Sequence, residues 1–503
     1  MAEKYFSQKD FSKGLSESET SGGQGYFSKS YAVDIHSIPG VWRAALQPAK
    51  ETASVVVDFC KFAVDASKGT ATYNQQSFWF GEAVNIYRRV INQSTGVASW
   101  GSVYHNRNDA INGAWEYNNY IYWSHGTTVN RMPLDSAILT GPWATGSVET
   151  SWGQLNNTEY HPSAVIGTYA LIGNGTTIAS ISDTGTITAS GIPDVSLAYL
   201  PASYEIISLH KYDIDVLAGT KNKGGVTGTK LLRWDISSPA FTQDIDVPES
   251  SVNCFLTTNN RTFIQAGKKG RIYEYNGVSV SPDKTIPNNE NQVTGYAVTY
   301  PQSSTNFEGV GYWGVSNMGD PSTDSLPLPG LYAFGRRNDK YPISLSHQYV
   351  PSNTDRDTRV GAIISGLWAN LNIPYLVFAW RDNTIPSYGI DSIYNTTARF
   401  SGAYIETQAI GGNRQNQKTF GNHVISYRTL PANTNITASY YKNFAATSSG
   451  SINLTQKSDY NNLISNEKIE AGVMKYKVIL TTSGADTPEI SDLYFDWNEK
   501  SVF

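Results

Sequence analysis

The sequence is poor in cysteine, methionine and charge. Among 503 residues there are two cysteines and four methionines, and charged residues make up 16%, below the roughly 25% of an average soluble protein. Long surface helices depend on charged and other strongly helix-forming residues, so this balance disfavours them. The composition disfavours disorder of the chain as a whole, because hydrophobic residues reach 40% and the net charge is only −5.

The two cysteines exclude a disulfide framework and a zinc centre. Cys60 and Cys254 lie far apart in apolar, strand-like runs and have no neighbouring histidines. We therefore expect two buried free thiols rather than a disulfide or a metal site. No apolar signal segment follows Met1, and the longest apolar stretch, near 373–380, is too short to span a bilayer. We expect no membrane span.

Aromatic residues and glycine are abundant. The chain has 32 tyrosines and 43 glycines, and aromatic residues make up 12%. Tyr, Trp, Val, Ile and Thr favour strands, and Gly and Asn favour the turns that join them. The acidic balance, 43 acidic against 38 basic residues, argues against broad nucleic-acid binding. Asn-x-Ser/Thr triplets at Asn92, Asn174 and Asn260 indicate turns rather than glycosylation.

A strand–turn–strand pattern recurs along the chain. The first strand of each hairpin ends at one of seven residues: Phe80, Trp123, Ile172, Leu217, Gln265, Trp313 and Phe378. Consecutive members of this series are 43, 49, 45, 48, 48 and 65 residues apart. Four short strands with their turns need roughly 40–50 residues, the length of one propeller blade. The pattern therefore predicts an all-β chain with a β-propeller of about seven blades over residues 50–397. Two large β-sandwiches or a β-solenoid are the alternatives.

The two ends of the chain lack this period. Residues 1–49 are predicted to form an N-terminal arm and lead-in, in which 1–25 are mobile or ordered by a partner. One of these segments could supply the strand that closes the ring against the last blade. Residues 398–503 contain strand-like runs separated by Asn, Gly and Pro turns, enough for one C-terminal β-sandwich.

Catalytic motifs are missing from the sequence. The seven histidines have no H-E-x-x-H spacing, and there is no G-x-S-x-G elbow or phosphate-binding loop. We expect the histidines to be structural and expect no catalytic, cofactor-binding or metal-binding residues and no cofactor. The histidines are His36, His105, His125, His161, His210, His347 and His423.

Three other groups of residues could carry chemistry. Alternating aspartates could bind Ca²⁺ or flank a glycosidic bond, although turn or rim positions are favoured; they are Asp213/Asp215, Asp244/Asp246 and Asp355/Asp357. No arginine triad is fixed by spacing, and the double arginines are predicted to end strands and face a partner or solvent; the arginines are Arg88, Arg89, Arg131, Arg336 and Arg337. Aromatic side chains near one turn could stack on sugars, but packing between blades is favoured; they are Tyr117, Tyr120, Tyr122 and Trp123.

Several segments together resemble a known group of proteins. They are DFSKGL, the run from YAVDIHSIPG to DFCKFAV, GLYAFGRRNDKYPISLSHQYV, and VILTTSGADTPEISDLYFDWN near the end. In these segments the chain resembles β-propeller virion proteins of tailed bacteriophages. The resemblance covers nearly the whole chain through loose motifs, and it carries over no site residue. It implies a structural component of the tail, of the nozzle, tip or hub-associated type.

These observations lead to one functional expectation with two alternatives. We expect a non-enzymatic virion protein, synthesised in the bacterial cytoplasm and built into a phage tail in several symmetric copies. Its expected partners are portal, adaptor, tail or fibre proteins, with contact to DNA passing through the assembly. The alternatives are a carbohydrate-binding adhesin and a propeller glycoside hydrolase.

Overall fold

The computed structural model shows a chain built from strands. Among the residues that it describes, 44 strands and no helix are found, so none of these residues forms a helix that could cross a membrane. The described residues are 4–8, 11, 13–16, 26–38, 40–51, 56, 58–66, 75–83, 85–91, 97–101, 104–105, 110–134, 148–287, 296–318, 328–336, 342–353, 357–368, 373–384, 387–394, 397–411, 417–457 and 460–499.

Six short strands precede the repeated part of the chain. They are β1 (Lys4–Gln8), β2 (Gly14–Leu15), β3 (Tyr26–Tyr31), β4 (Val33–Asp34), β5 (Arg43–Ala44) and β6 (Ala49–Lys50).

Seven antiparallel sheets then follow one another along the chain. Sheet 1 contains β7 (Cys60–Asp65), β8 (Gln75–Gly81), β9 (Asn85–Ile91), β10 (Ala98–Trp100) and β11 (Tyr104–His105). Sheet 2 contains β12 (Ile111–Tyr117), β13 (Tyr120–His125), β14 (Thr128–Pro133) and β15 (Glu149–Gln154). Sheet 3 contains β16 (Ser163–Ile166), β17 (Tyr169–Asn174), β18 (Thr177–Ser182) and β19 (Ile187–Thr188). Sheet 4 contains β20 (Tyr204–Tyr212), β21 (Asp215–Asn222), β22 (Thr229–Trp234) and β23 (Gln243–Val247).

Three more sheets complete this series. Sheet 5 contains β24 (Val252–Thr258), β25 (Arg261–Ala266), β26 (Arg271–Tyr275) and β27 (Val280–Thr285). Sheet 6 contains β28 (Tyr296–Val298), β29 (Ser304–Phe307), β30 (Val310–Met318), β31 (Gly330–Gly335) and β32 (Ser344–Tyr349). Sheet 7 contains β33 (Thr358–Trp368), β34 (Ile373–Asp382) and β35 (Ser387–Ile393) together with β6.

Each of these sheets packs against the next, and the seventh packs against the first. Apolar side chains fill every interface: Phe80 and Trp123 meet between sheets 1 and 2, and Trp79 and Val377 meet between sheets 7 and 1. One four-stranded sheet buries too little surface alone, and face-to-face stacking buries both of its faces. The all-β prediction is confirmed, and the four-stranded antiparallel sheets are consistent with propeller blades.

The predicted repeat matches the succession of sheets. All seven residues that were used to measure it lie in the strand next to the innermost strand of each sheet, namely β8, β13, β17, β21, β25, β30 and β34. The turns agree as well. Asn259 and Asn260 both have positive φ in the tight turn of sheet 5, as a type I′ hairpin requires, so Asn260 is a turn residue. Asn174 is buried, whereas Asn92 lies outside the described residues.

The ring closes through a strand from the beginning of the chain. Ala49 and Lys50 of β6 pair with Ser392 and Asp391 of β35, which completes sheet 7. Glu51, the next residue, donates its backbone N–H to the Ile390 carbonyl at 2.9 Å. The expectation that a lead-in segment closes the ring is confirmed.

The double arginines of β9 do not end a strand or face solvent, so that prediction is wrong. Arg88 and Arg89 lie inside β9 and are buried. Arg89 donates to both carboxylate oxygens of Glu51 at 2.7 and 2.8 Å, and Arg88 donates from Nε to Gln76 Oε1 at 2.8 Å. Burial by itself lowers the pKa of Arg89, but Glu51 outweighs burial and raises it. Partners that are distant in sequence therefore permit the burial of these charges.

Nine further strands form two six-stranded sheets with the N-terminal strands. They are β36 (Ala403–Thr407), β37 (Lys418–Thr429), β38 (Asn435–Lys442), β39 (Gly450–Ile452), β40 (Thr455–Lys457), β41 (Asn462–Ser465), β42 (Ile469–Ala471), β43 (Met474–Thr481) and β44 (Glu489–Glu499). One sheet has the order β1-β44-β37-β41-β40, with β42 also on β37, and the other has the order β2-β3-β36-β43-β38-β39. The Tyr476 and Phe495 rings pack between them with centroids 4.1 Å apart.

The predicted N-terminal arm is wrong for the residues that the structure describes. Residues 4–8 form β1, which pairs along its whole length with β44, and Gly14 and Leu15 of β2 run parallel to the start of β3. These residues are ordered by their own chain. Residues 1–3, 9–10, 12 and 17–25 lie outside the described part.

Both cysteines are free and buried, as predicted. Cys60 lies between sheets 7 and 1, and Cys254 belongs to the core where sheets 5 and 6 meet. Burial raises the pKa of Cys60 well above its ordinary value and raises that of Cys254 to about 12. Both thiols are therefore protonated and act as packing groups.

Candidate functional site

Residues 35–38 form a compact turn directly after β4. The Asp34 carboxylate accepts the backbone N–H groups of His36 and Ser37 at 3.1 and 3.0 Å and the Arg43 Nε–H at 3.1 Å. Burial alone would raise the pKa of Asp34, but Arg43 and Ser37 reverse this and hold it below its usual value. The buried carboxylate fixes the course of the chain at this point.

This turn lies against the outer strand of sheet 6. His36 Nε2 contacts the Ser344 hydroxyl at 3.0 Å. The Ala32 backbone N–H donates to His347 Nδ1 at 3.3 Å, and the Ser30 hydroxyl accepts the His347 N–H at 3.0 Å. Every residue of β32 is consequently buried, although outer strands are normally solvent-facing.

The same segment is tied to the end of the chain. Trp42 and Ile490 exchange backbone hydrogen bonds at 3.1 and 3.0 Å, and the Ala44 N–H donates to the Thr487 hydroxyl at 3.2 Å. Residues 30–38 and 40–44, β32 and residues 487–490 therefore meet in one place, which we call the junction. It joins the seven-sheet ring to the two C-terminal sheets.

A second cluster lies where the innermost strands of the ring approach one another. The inner strand of sheet 6 is split into β28 and β29, and the side chain of Gln302, from the intervening residues, bridges other sheets. Its Oε1 accepts the Ala63 N–H at 2.8 Å, and its Nε2 donates to the Ala114 carbonyl at 3.4 Å. Its backbone carbonyl accepts the Ile363 N–H at 2.9 Å. Gln302 thus links sheets 1, 2, 6 and 7.

Charged residues gather beside Gln302, at the seam between sheets 7 and 1. Lys61 Nζ donates to Glu82 Oε1 at 2.7 Å, and Arg381 Nη1 donates to Glu82 Oε2 at 3.3 Å. Lys61 Nζ also lies 5.3 Å from the Tyr300 ring centroid. Arg359 pairs with Arg381 across adjacent strands. We call Lys61, Glu82, Arg359 and Arg381 the seam cluster. No sequence signal identified it, since its members come from three strands and a turn whose register is non-local.

Five of the histidines make polar contacts within the chain: His36, His161, His210, His347 and His423. His161, for example, contacts the Ser124 hydroxyl at 2.8 Å and the Asn156 carbonyl at 2.9 Å. Burial lowers the pKa of His161, His210 and His347 to about 4. The described residues contain no group of three or more His, Cys, Asp or Glu that could hold a metal ion. The side chain of His105 is not described.

The aspartates of each predicted pair either lie in different surroundings or already contact other side chains of the protein. Asp213 lies in the turn before β21, whereas Asp215 is buried and accepts from Arg233 Nε at 2.5 Å. Asp244 and Asp246 share one face of β23, as predicted, but both contact Lys230 Nζ, at 3.0 and 2.8 Å. Lys230 occupies the place that a cation would take. Asp357 accepts from Asn383 at 3.1 Å, and Asp355 lies outside the described residues.

The aromatic residues near the first turn of sheet 2 pack between sheets, as predicted. Trp123 faces sheet 1, and Tyr117 and Tyr122 face sheet 3. Tyr120 is half-buried and lies 4.4 Å from the Arg131 guanidinium, which also pairs with Glu149 at 2.9 Å. Arg336 follows β31, and Arg337 lies outside the described residues.

A small apolar pocket opens between the two C-terminal sheets. Ile425, Val478 and Phe495 line it together with His423. His423 is held by the Tyr476 hydroxyl at 2.9 Å and by the Glu467 carbonyl at 3.0 Å. The polar groups at the pocket therefore already have partners in the chain.

Comparisons with known proteins give structural likeness only. No protein-family model matches the chain, and no curated protein matches it. The extracellular domain of BT4673 from B. thetaiotaomicron is similar in structure, with 14% identity and a TM-score of 0.45. The match covers 83% of this chain and 48% of that one, so this chain corresponds to about half of that protein.

Two further solved structures give similar values. Chaetomium thermophilum Raptor matches with 10% identity and a TM-score of 0.45, over 71% of this chain and 29% of that chain. BBS1N, solved in complex with ARL6DN, matches with 9% identity and a TM-score of 0.42, over 69% of this chain and 97% of that chain. The likeness concerns the fold alone, and none of these three is described as a bacteriophage protein.

Proposed function

We propose that this chain is a structural component of a bacteriophage tail, present in several copies and without enzymatic activity. Its proposed architecture is a seven-bladed β-propeller over residues 50–397 and a β-sandwich over 398–503. Strands from residues 1–49 complete both units. In the virion it would form a rigid element of nozzle or tip type that contacts portal, adaptor, tail or fibre proteins, with tail DNA passing through the assembly.

The junction is the observation that carries this proposal. Three of the four segments that resemble phage virion proteins are far apart in sequence and contribute described residues to the junction: residues 34–38 and 42–44 from one, β32 from another, and residues 487–490 from the last. His36 contacts Ser344 at 3.0 Å, and Trp42 pairs with Ile490. Similar motifs at mutually contacting positions favour a shared architecture over chance likeness of separate strands.

A mechanical role agrees with the way in which the ring and the C-terminal sheets are joined. Buried backbone pairing and apolar packing resist relative motion far better than a flexible linker does. A multi-copy wall needs such rigidity, because each copy must present its neighbours with the same contact surfaces. Asp34 and Arg43 supply a partly buried ion pair of 3.1 Å at this point, which fixes the geometry of the connection.

The two alternatives find less support in the described residues. An adhesin that uses the aromatic residues of sheet 2 would need their faces exposed, and Tyr122 and Trp123 are buried. A glycoside hydrolase needs two carboxyl groups flanking an open cleft. Of the aspartate pairs, Asp244 and Asp246 are bridged by Lys230, and Asp215 is bound to Arg233.

The proposal is tested by determining the protein composition of the phage particles whose genome encodes this chain. Particles purified by density gradient are digested and quantified by mass spectrometry against a known capsid protein. We expect the chain in a fixed number of copies that survives a high-salt wash. A chain found only in the unassembled soluble fraction would overturn the proposal. A non-structural protein of the same phage serves as the control for contamination.

A further inference from the structure

Two arginines of sheet 7 lie directly opposite one another. Arg359 of β33 is the cross-strand partner of Arg381 of β34, so both side chains project from the same face of the sheet. Alternation along β34 places Arg381 on the face of Val377 and Ala379, which pack against sheet 1. Like charges at such positions repel, and the arrangement is destabilising unless negative charge lies between them.

The described residues supply little negative charge to this cluster. Lys61 adds a third positive charge, and Glu82 is the carboxylate that pairs with it and with Arg381. Arg359 forms no ion pair with any of the described residues. The nearby Asp58 accepts the backbone N–H groups of Phe59 and Ala83, both at 2.8 Å. Three cations thus face one paired carboxylate, in a chain of net charge −5.

The hydrogen-bonding state of the two guanidinium groups also indicates a missing acceptor. The Nε atoms of Arg359 and Arg381 are both buried and have no hydrogen-bond partner among the described residues. A buried donor without an acceptor is costly. The Arg381 side chain keeps 31% of its surface exposed, so a small molecule can reach the cluster. Both Lys61 and Arg359 lie beside Tyr300. Burial raises the pKa of Tyr300, and Arg359 partly offsets this rise.

We propose that the seam cluster binds a small oxyanion, the carboxylate or phosphate group of a ligand, between Arg359 and Arg381, with Lys61 beside them. Guanidinium groups donate in a planar fork that matches both kinds of oxyanion. The ligand would neutralise the facing charges at the seam where sheet 7 meets sheet 1. This site is independent of the proposed tail function, because it depends on the ring alone.

The test is thermal unfolding and titration calorimetry of the full chain at constant ionic strength. Sodium phosphate, acetate and glucuronate are compared with sodium chloride, and glucose serves as a neutral control. We expect an oxyanion to raise the unfolding temperature above its value in chloride and glucose to leave it unchanged. A response to acetate and glucuronate indicates a carboxylate ligand, and a response to phosphate alone indicates a phosphate ligand.

Two variants and a matched control locate the effect. Arg359→Gln and Arg381→Gln should each weaken oxyanion binding about tenfold, because each removes charged hydrogen bonds. In chloride, Arg359→Gln should be at least as stable as the wild type, since the repulsion is relieved. Arg233→Gln, which removes an arginine already paired with Asp215, should bind like the wild type. Absence of any oxyanion response in the wild type, or equal binding by Arg359→Gln, would overturn the proposal.

Discussion

The ion pair between Arg89 and Glu51 gives the sharpest prediction about ring closure. The side chains are only 3% and 7% exposed, and the pair is bidentate, with distances of 2.7 and 2.8 Å. The Arg89 guanidinium also lies 5.7 and 5.5 Å from the Tyr375 and Tyr394 rings. Glu51 directly follows β6, the strand that completes sheet 7. The pair therefore joins the closing strand to sheet 1.

Replacing Glu51 by Gln leaves Arg89 charged and buried without a counter-ion. Removing one partner of a buried pair costs about 3–5 kcal/mol, and here the loss should fall on the closing strand. Because opening free energies control amide exchange, the backbone N–H of Glu51, bonded to Ile390 at 2.9 Å, should exchange faster. The expected acceleration is about 2.2 to 3.7 orders of magnitude.

The assay is hydrogen–deuterium exchange with mass spectrometry on peptides that cover residues 49–51 and 387–393. Glu149→Gln is the matched control. Arg131 donates from Nε and Nη2 to one carboxylate oxygen of Glu149, and the Glu149 side chain is 47% exposed. Loss of this exposed pair should lower the free energy of unfolding by about 0–1 kcal/mol. Equal exchange at residues 49–51 in Glu51→Gln and the wild type would refute the reasoning. Faster exchange throughout the chain would refute the local role of the pair.

Three further predictions follow from packing and burial. Gly361→Ala places a Cβ against the Cys60 carbonyl and should lower the free energy of unfolding by about 1–3 kcal/mol. In the control Gly421→Ala the nearest atom is 3.7 Å from the new Cβ, and the loss should be smaller. Equal losses in the two variants would contradict the packing of sheets 7 and 1. Native protein should react with a thiol reagent at neither Cys60 nor Cys254, and urea-unfolded protein at both; rapid native labelling would contradict their burial. The free energy of unfolding should rise as the pH increases from about 4 to 6.5, because in this range the unfolded chain binds protons at His161, His210 and His347 and the folded protein does not. Asp391 has a folded pKa of about 6 and contributes in the opposite direction. Urea unfolding at several pH values measures the slope, and His210→Gln should reduce it.

The sequence predicts the repeated part of the chain because its signal is local. Each hairpin places large apolar residues at alternating positions beside a turn that Gly or Asn can form. Trp123 and Leu217 therefore mark the same strand in different sheets, and both are fully buried. The free cysteines and the aromatic packing of sheet 2 follow from the same local pattern.

The contacts that complete the molecule come from residues that are distant in sequence. β6 is only two exposed residues long, so no local pattern marks it as a ring-closing strand. Lys4–Gln8 looks polar, but its partner β44 lies at the other end of the chain. Arg88 and Arg89 look like exposed charges until Gln76 and Glu51 are brought to them. The seam cluster likewise depends on the register between β33 and β34.

The most direct test of the account is electron cryomicroscopy of the purified phage particle at side-chain resolution. The account predicts copies of this chain arranged symmetrically in the tail, each with β6 paired to β35 in the seventh sheet of a closed ring. Trp42 and Ile490 would lie at the junction to the C-terminal sheets. A tail map whose density is fully assigned to other proteins would contradict the proposed function. A ring with a different number of blades would contradict the proposed architecture.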